Sequence, residues 1–248
     1  AYRYDYFKKY SRFVGNLRQE FSRGNRSGEF LRQNFSDEQL HDTVYITANP
    51  HATVLDEDTF YTIEFLLDRW DSEVGVVLPD DVTDAAINAE RKYPNKRLMV
   101  HYMQPHDPHS GETAKTYRHR TDLSTEATHS SFPETRFPRL FTEGEISKEE
   151  LEKAYIETIR IVEDSVEDLL SELTGKSIIS SDHGENLGEE RFGQIYLEHS
   201  IDTKECRFVP WLELPYEERK DVTEEEPSGY ELPNKKRTEE QLSALGYL

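Results

Sequence analysis

Lys176-Ser177-Ile178-Ile179-Ser180-Ser181-Asp182-His183-Gly184-Glu185 is the stretch that decides the fold. Its first half is a short apolar run with strand character, and its second half is a polar turn. Open α/β sheets bind ligands just beyond the carboxyl ends of their strands, which is where Asp182 and His183 fall. A neighbouring carboxylate and imidazole can ligate one divalent ion, and Gly184 lets the backbone turn sharply. An ordinary polar turn carries the same residue types, so both readings stand at this point.

Working outward from this stretch, residues 147–173 read as one long helix. Leu151, Tyr155, Ile159, Val162, Val166, Leu169, Leu170 and Leu173 recur at three- and four-residue spacing and build one apolar face. Ser147 with Glu150 resembles a capping box, and Gly175 stops the helix just before the strand. Helix followed by buried strand is the repeating unit of a doubly wound α/β sheet. Residues 43–48 and 97–103 read as two further strands, the second ended by Pro105 and Pro108, and 207–212 as a weaker one. Residues 80–91 form a second helical pattern. The segment 109–144, rich in Thr, Ser, His and Pro, reads as a long excursion over the sheet edge. After Leu214 comes a charged, extended surface segment and a short helix over 238–245. The division is therefore a core over 1–214 and a tail over 215–248, with no internal repeat.

The chain has 248 residues, which bounds it at one sizeable core. Its 50 acidic against 30 basic residues give a formal net charge of -20, which disfavours nucleic acid and anionic membranes as partners. Such a surface suits a salt-adapted source, because concentrated salt screens the self-repulsion. The single Cys206 cannot form an internal disulfide and reads as an inert thiol. No apolar run approaches the roughly 20 residues of a membrane span, and the first residues lack the apolar segment of a signal peptide, so the expected compartment is the cytoplasm.

A second group of polar residues follows the strand at 97–103. His101, His106 and His109 lie at the end of that strand, where Pro105 and Pro108 stiffen the loop, useful where imidazoles must be held at a metal or an anionic oxygen. His199, in Glu198-His199-Ser200, is a further candidate. A solvated polar loop is the alternative role for each.

The order of these features resembles the alkaline phosphatase superfamily, in its sulfatase-like branch. A strand ends in Gln104-Pro105-His106, a loop and an amphipathic helix follow, then Ser181-Asp182-His183-Gly184-Glu185, Glu198-His199 and Val209-Pro210-Trp211. The matching stretch runs from Val44 to Leu214, and residues 239–248 are similar to the closing helix of many members. The resemblance implies an α/β fold with a mixed, largely parallel central sheet and helices on both faces. It implies hydrolysis or transfer of a sulfate or phosphate ester, such as a small anionic ester or a surface glycan, and points to an archaeal, halophilic source. The cofactor would be a divalent metal (Ca, Mg, Mn or Zn) held by Asp182 and His183, with His106 and His199 binding a second metal or the ester oxygens.

In that family the nucleophile opens a helix in a Cys/Ser/Thr-x-Pro pattern. Laid on this chain, the pattern puts Arg26 in the nucleophile slot and Gly28 at the proline. Ser27, one position away, has the right chemistry at a helix start and is the nucleophile candidate, with plain helix capping as its other role. Arg23, Arg26 and His109 would contact the substrate's anionic oxygens. The family's first metal-ligating Asp would fall before Ala1. A non-catalytic binding member and a truncated product are the readings that a missing ligand and an Arg at the nucleophile slot would favour.

Overall fold

The computed structural model describes residues 2–122, 137–199 and 201–245. In chain order the elements are α1 (Tyr4–Tyr10), β1 (Asn16–Phe21), α2 (Ser27–Phe35), β2 (Leu40–Thr47), β3 (Phe60–Phe65), β4 (Trp70–Asp71), β5 (Val76–Val77), α3 (Pro79–Lys92) and β6 (Arg97–His101). Next come α4 (Glu112–Asp122), α5 (Phe137–Thr142), α6 (Lys148–Glu172), β7 (Ile178–Ser180), β8 (Asn186–Arg191), β9 (Gln194–Glu198), α7 (Lys204–Arg207), β10 (Phe208–Glu213) and α8 (Lys235–Ala244). The class is α/β.

Two three-stranded sheets carry the architecture. One is parallel, in the order β3-β2-β6, and the other antiparallel, in the order β1-β10-β7. The central β2 is buried on both faces, as a parallel strand must be when helices cover both sides. Its Val44 and Ile46 point into a core shared with Val82, Ala85 and Ala89 of α3, while Tyr45 between them points the other way, into a core shared with Leu31 of α2. Alternate residues of one strand thus place α3 and α2 on opposite faces.

The long helix α6 forms as its spacing requires. Leu151, Tyr155, Ile159, Val162 and Leu169 are buried on one stripe, and the Ser147–Glu150 capping box is present in both directions. Polar contacts lock α6 to α3: Thr83 Oγ1 donates to the Ser165 carbonyl at 2.9 Å, and Ser165 Oγ to Asp80 Oδ1 at 2.5 Å. The expected weak strand is β10, paired on both sides although it contains Pro210, which has no N–H to give the ladder. Ser180 Oγ donates to the Pro210 carbonyl at 2.8 Å.

The long excursion is corrected by α4 and α5, which lie within it. Few apolar positions mark them, because α4 buries little more than Ala114 and Tyr117. Residues 123–136 of the expected excursion lie outside the described residues.

After Leu214 the chain runs extended along the parallel sheet and returns as α8. Lys96, only 3% exposed, holds this strap: its Nζ donates to the carbonyls of His41 at 3.0 Å and Thr223 at 2.9 Å, and lies 2.9 Å from Glu225. Gln241 Nε2 of α8 reaches the Leu67 carbonyl at 2.7 Å. Replacing Lys96 with methionine keeps the stem and strands both carbonyls. It is expected to lower unfolding free energy by about 2 kcal/mol in a denaturant titration, the scale of lost hydrogen bonds to a charged group.

Candidate functional site

Two loops and one helix start converge beyond the carboxyl ends of β6 and β7. Ser27 opens α2, whose N-cap is Arg26 in extended conformation with no side-chain cap bond. Ser27 is therefore not the cap. Its Oγ donates to Asp182 Oδ2 at 2.6 Å and lies 3.4 Å from His183 Nε2. The first-turn amides of α2 leave partial positive charge at this hydroxyl, a favourable setting for an anion.

Asp182 is fixed on both oxygens. Oδ2 faces Ser27, with His183 Nε2 at 3.5 Å and His101 Nε2 at 3.6 Å, while Oδ1 accepts from the His183 backbone N–H at 2.9 Å. Burial works against the charged form of Asp182, but His183 and His101 more than offset it and hold the carboxyl well below the usual carboxylate range. The opposite holds for His183: burial pushes the imidazole down to about 4, against the pull of Asp182. His183 Nδ1 is 2.8 Å from the Gly184 carbonyl and donates to it, which leaves the Nε2 lone pair toward Ser27 and Asp182. A neutral imidazole with that lone pair free is the form a metal ligand requires.

The backbone of the motif is pinned from three sides. The Tyr2 N–H donates to Ser181 Oγ at 2.8 Å, Ser181 Oγ donates to the His183 carbonyl, and the Gly184 N–H donates to the Cys206 carbonyl at 2.7 Å. Ser22 Oγ donates to the Asp182 carbonyl, and Asn25 Nδ2 to the His199 carbonyl at 3.2 Å, so the approach to α2 is tied to both halves of the site. Cys206 is fully buried, and burial raises its thiol to about 11, in keeping with an inert role.

A second donor group adjoins the first. One ligand atom each of His106, Glu185 and His199 lies within 4.8 Å of the others, and all three residues are buried. Glu185 Oε1 is 3.4 Å from His199 Nδ1, and the His199 ring stands 4.5 Å from His183 and 5.2 Å from His106. Burial disfavours the Glu185 anion, yet His106 and His199 hold the carboxyl below its ordinary range. Two imidazoles and a carboxylate converging in a buried space fit a divalent cation by donor type, and so does the Asp182–His183 pair beside Ser27. A small cavity is bounded by Ser27, Asn49, His101, Asp182 and His183, with His106 of the second group on its wall.

The structure brings Ser27, Asp182, His183, His106 and His199 together. Arg23 and Arg26 are exposed, and Arg23 Nη1 donates to the Gln33 carbonyl at 3.1 Å. His109 turns inward, 2% exposed, edge-on to Phe137 and Tyr155, and burial lowers its pKa. Asp5 pairs with Arg3 at 2.9 Å and is 65% exposed.

Three residues at the site were not singled out by sequence. Glu185 stood inside the quoted motif without a role. Asn49 lines the cavity. His51, whose Nδ1 would be 3.3 Å from a Cβ at Gly28, is pushed down to about 4 by burial, with His199 adding and Asp182 opposing. The signal for both was the Asn49-Pro50-His51 turn at the end of β2, the same strand-end position that flagged the other candidates.

A sequence model of the family described as Sulfatase matches residues 3–237. A comparison with curated protein sequences finds no match. Among solved structures, the chain is similar to the integral membrane protein lipooligosaccharide phosphoethanolamine transferase A (EptA) from Neisseria meningitidis, at 14% identity and a TM-score of 0.52. That alignment covers 81% of this chain and 40% of the transferase, so the chain spans about two fifths of its length. Against the soluble domain of lipooligosaccharide phosphoethanolamine transferase A from the same organism, identity is 14% and the TM-score 0.49, over 85% of this chain and 69% of that one. The first likeness supports the α/β fold. No helix among the described residues is long and apolar enough to cross a membrane.

Proposed function

Because the chain belongs to the Sulfatase family, we propose that it hydrolyses or transfers a sulfate or phosphate ester, with Ser27 as nucleophile. The observation that carries this reading is the Ser27 hydroxyl, 2.6 Å from Asp182 Oδ2 and 3.4 Å from His183 Nε2 at the start of a helix. Asp182 and His183 would hold one divalent cation and His106, Glu185 and His199 a second. A cation so bound neutralises the anionic ester and lowers the hydroxyl's pKa.

The chain's own residues do the rest. Asp182 Oδ2 takes the Ser27 hydrogen bond and aims the oxygen's free lone pairs out into the cavity. Attack of Ser27 Oγ forms a bond to the ester's sulfur or phosphorus as the bond to the leaving oxygen breaks, and the serine proton ends on the leaving alcohol; an incoming water or acceptor alcohol then takes the group and returns its proton to the serine. His106, on the cavity wall, and His199 behind it would hold the ester oxygens where they do not hold a second cation. Arg26, exposed at the head of α2, and the exposed Arg23 would meet the anionic substrate from outside. Sulfated or phosphorylated surface glycans are a substrate class of this kind.

The test is release of the aryl alcohol from an aryl sulfate and an aryl phosphate, with Mn, Zn, Mg or Ca added in high salt. Turnover with at least one metal, lost in Ser27→Ala, supports the assignment. A folded, metal-loaded protein with no turnover would make the chain a non-catalytic, ligand-binding member and overturn it.

The net charge of -20 extends the proposal to salt adaptation. Raising KCl from about 0.1 M to about 1 M shortens the screening length from about 10 Å to about 3 Å and weakens repulsion among surface carboxylates. The melting temperature is expected to rise across that range, and a flat or falling curve would contradict salt adaptation.

A further inference from the structure

Tyr45 stands behind the site with a fully buried side chain, and its hydroxyl oxygen lies 2.7 Å from His101 Nδ1. A buried phenol oxygen is costly unless it is hydrogen-bonded, so a tyrosine where phenylalanine would pack equally well has a directional role to explain. The far nitrogen of the same imidazole, Nε2, points at Asp182 Oδ2 from 3.6 Å. Asp182 in turn receives the Ser27 hydroxyl on that same oxygen. Three elements are joined in this way: Tyr45 on β2, His101 at the end of β6, and Asp182 beyond β7.

We propose that Tyr45 is a positioning residue: its O–H donates to His101 Nδ1, places the ring proton on Nε2, and so directs an N–H at Asp182 Oδ2 that fixes the carboxylate against Ser27.

The tautomer follows from what each neighbour can do. An ionised carboxylate only accepts, so a neutral His101 with its proton on Nδ1 would set a lone pair against the lone pairs of Oδ2. The phenol, by contrast, can donate, and burial keeps it protonated by raising its pKa. Strand pairing fixes the geometry further, since β2 and β6 run parallel with Tyr45 opposite Met99 and Thr47 opposite His101. The Tyr45 and His101 rings are nearly parallel, at 23° with centroids 6.1 Å apart. At 3.6 Å the His101–Asp182 contact is longer than a hydrogen bond, and a shift of a few tenths of an ångström closes it. Outer partners of this kind set the orientation of metal-ligating side chains.

The inference rests on the reading of Asp182 as a metal ligand for its effect on affinity, but not for the tautomer itself. The experiment compares wild type, Tyr45→Phe, His101→Gln and the double variant. Each is stripped of metal and titrated with Zn²⁺ by calorimetry, and the ring nitrogens of isotope-labelled histidine are read by NMR. Wild-type His101 is expected in the Nε2–H form, and Tyr45→Phe, still folded by its thermal melt, is expected to lose that preference. Zn²⁺ affinity should fall on the order of tenfold in Tyr45→Phe. In the His101→Gln background, where the amide presents its own donor to Asp182, Tyr45→Phe should change affinity by less than about twofold. An Nδ1–H or doubly protonated His101 in wild type, or a Tyr45→Phe protein with unchanged tautomer and affinity, would overturn the proposal. A wild type that binds no Zn²⁺ would instead refute the metal reading, and the NMR arm alone would then decide for or against Tyr45.

Discussion

Asp182→Ala is expected to reduce ester turnover by at least about 10³-fold, the scale on which a catalytic unit fails when one of its coupled members is removed. The carboxylate makes contacts that nothing nearby replaces. It accepts the Ser27 hydroxyl at 2.6 Å, caps the His183 backbone N–H at 2.9 Å and opposes the effect of burial on His183. Steady-state kinetics with an aryl ester check the loss, which should fall on kcat because Ser27 loses its alignment. Stability should change little: Ser22 and Ser181 hold this turn through backbone carbonyls, and those bonds survive truncation. A variant that retains more than about a tenth of wild-type kcat would exclude Asp182 from the chemistry.

The second large effect is on folding. Gly184→Ala is expected to cost about 3 kcal/mol or more and to lower the melting temperature by roughly 6–12 °C. A Cβ at this position would stand 2.0 Å from the Glu205 carbonyl oxygen and 3.1 Å from its carbon. These are backbone atoms of α7, held in turn by the Gly184 N–H bond to the Cys206 carbonyl, so neither side can yield separately. The glycine is required here by close approach of two chain segments, since its φ is not in the left-handed region. A thermal melt within 2 °C of wild type would show that α7 can move away. Loss of metal binding without loss of stability would place the glycine's role in the site instead.

Ser27 shows where sequence reading stops. Along a helix each residue turns the side chain by about 100°, so an alignment shifted by one position aims at a different wall of the site. The motif pattern put Arg26 in the nucleophile slot, yet Arg26 is the N-cap and is exposed, while Ser27 faces Asp182. No spacing rule distinguishes these two, because the cap geometry is decided by β1 and by the Ser22 and Asn25 contacts, made with residues more than 150 positions away. The same applies to His109. Its neighbours in sequence made it one of a cluster of imidazoles, and packing against Phe137 and Tyr155 turned it into the core.

The parts that were legible have local causes. The helix α6 is written in a single apolar stripe with a capping box, and β2, β6 and β7 in short apolar runs closed by turn residues. Elements held mainly by distant partners left a faint trace. The strand β1 buries no residue fully, and β10 carries Pro210 in its middle, so neither has the alternation of an isolated strand. The hairpin of β8 and β9 turns through Phe192 and Gly193, both with positive φ, and a phenylalanine there hides the usual turn signal. Glu185 was visible but undervalued, because its role depends on His106 and His199 arriving from two other loops.

The central claim is that this chain's two buried donor groups take divalent cations beside a nucleophilic serine. The most direct measurement is an anomalous-scattering map at the zinc edge, from crystals of the wild-type protein equilibrated with Zn²⁺. Peaks within coordination distance, about 2.0–2.2 Å, of Asp182 and His183 and of His106, Glu185 and His199 are predicted. A fully ordered site with no zinc at either group would contradict the account.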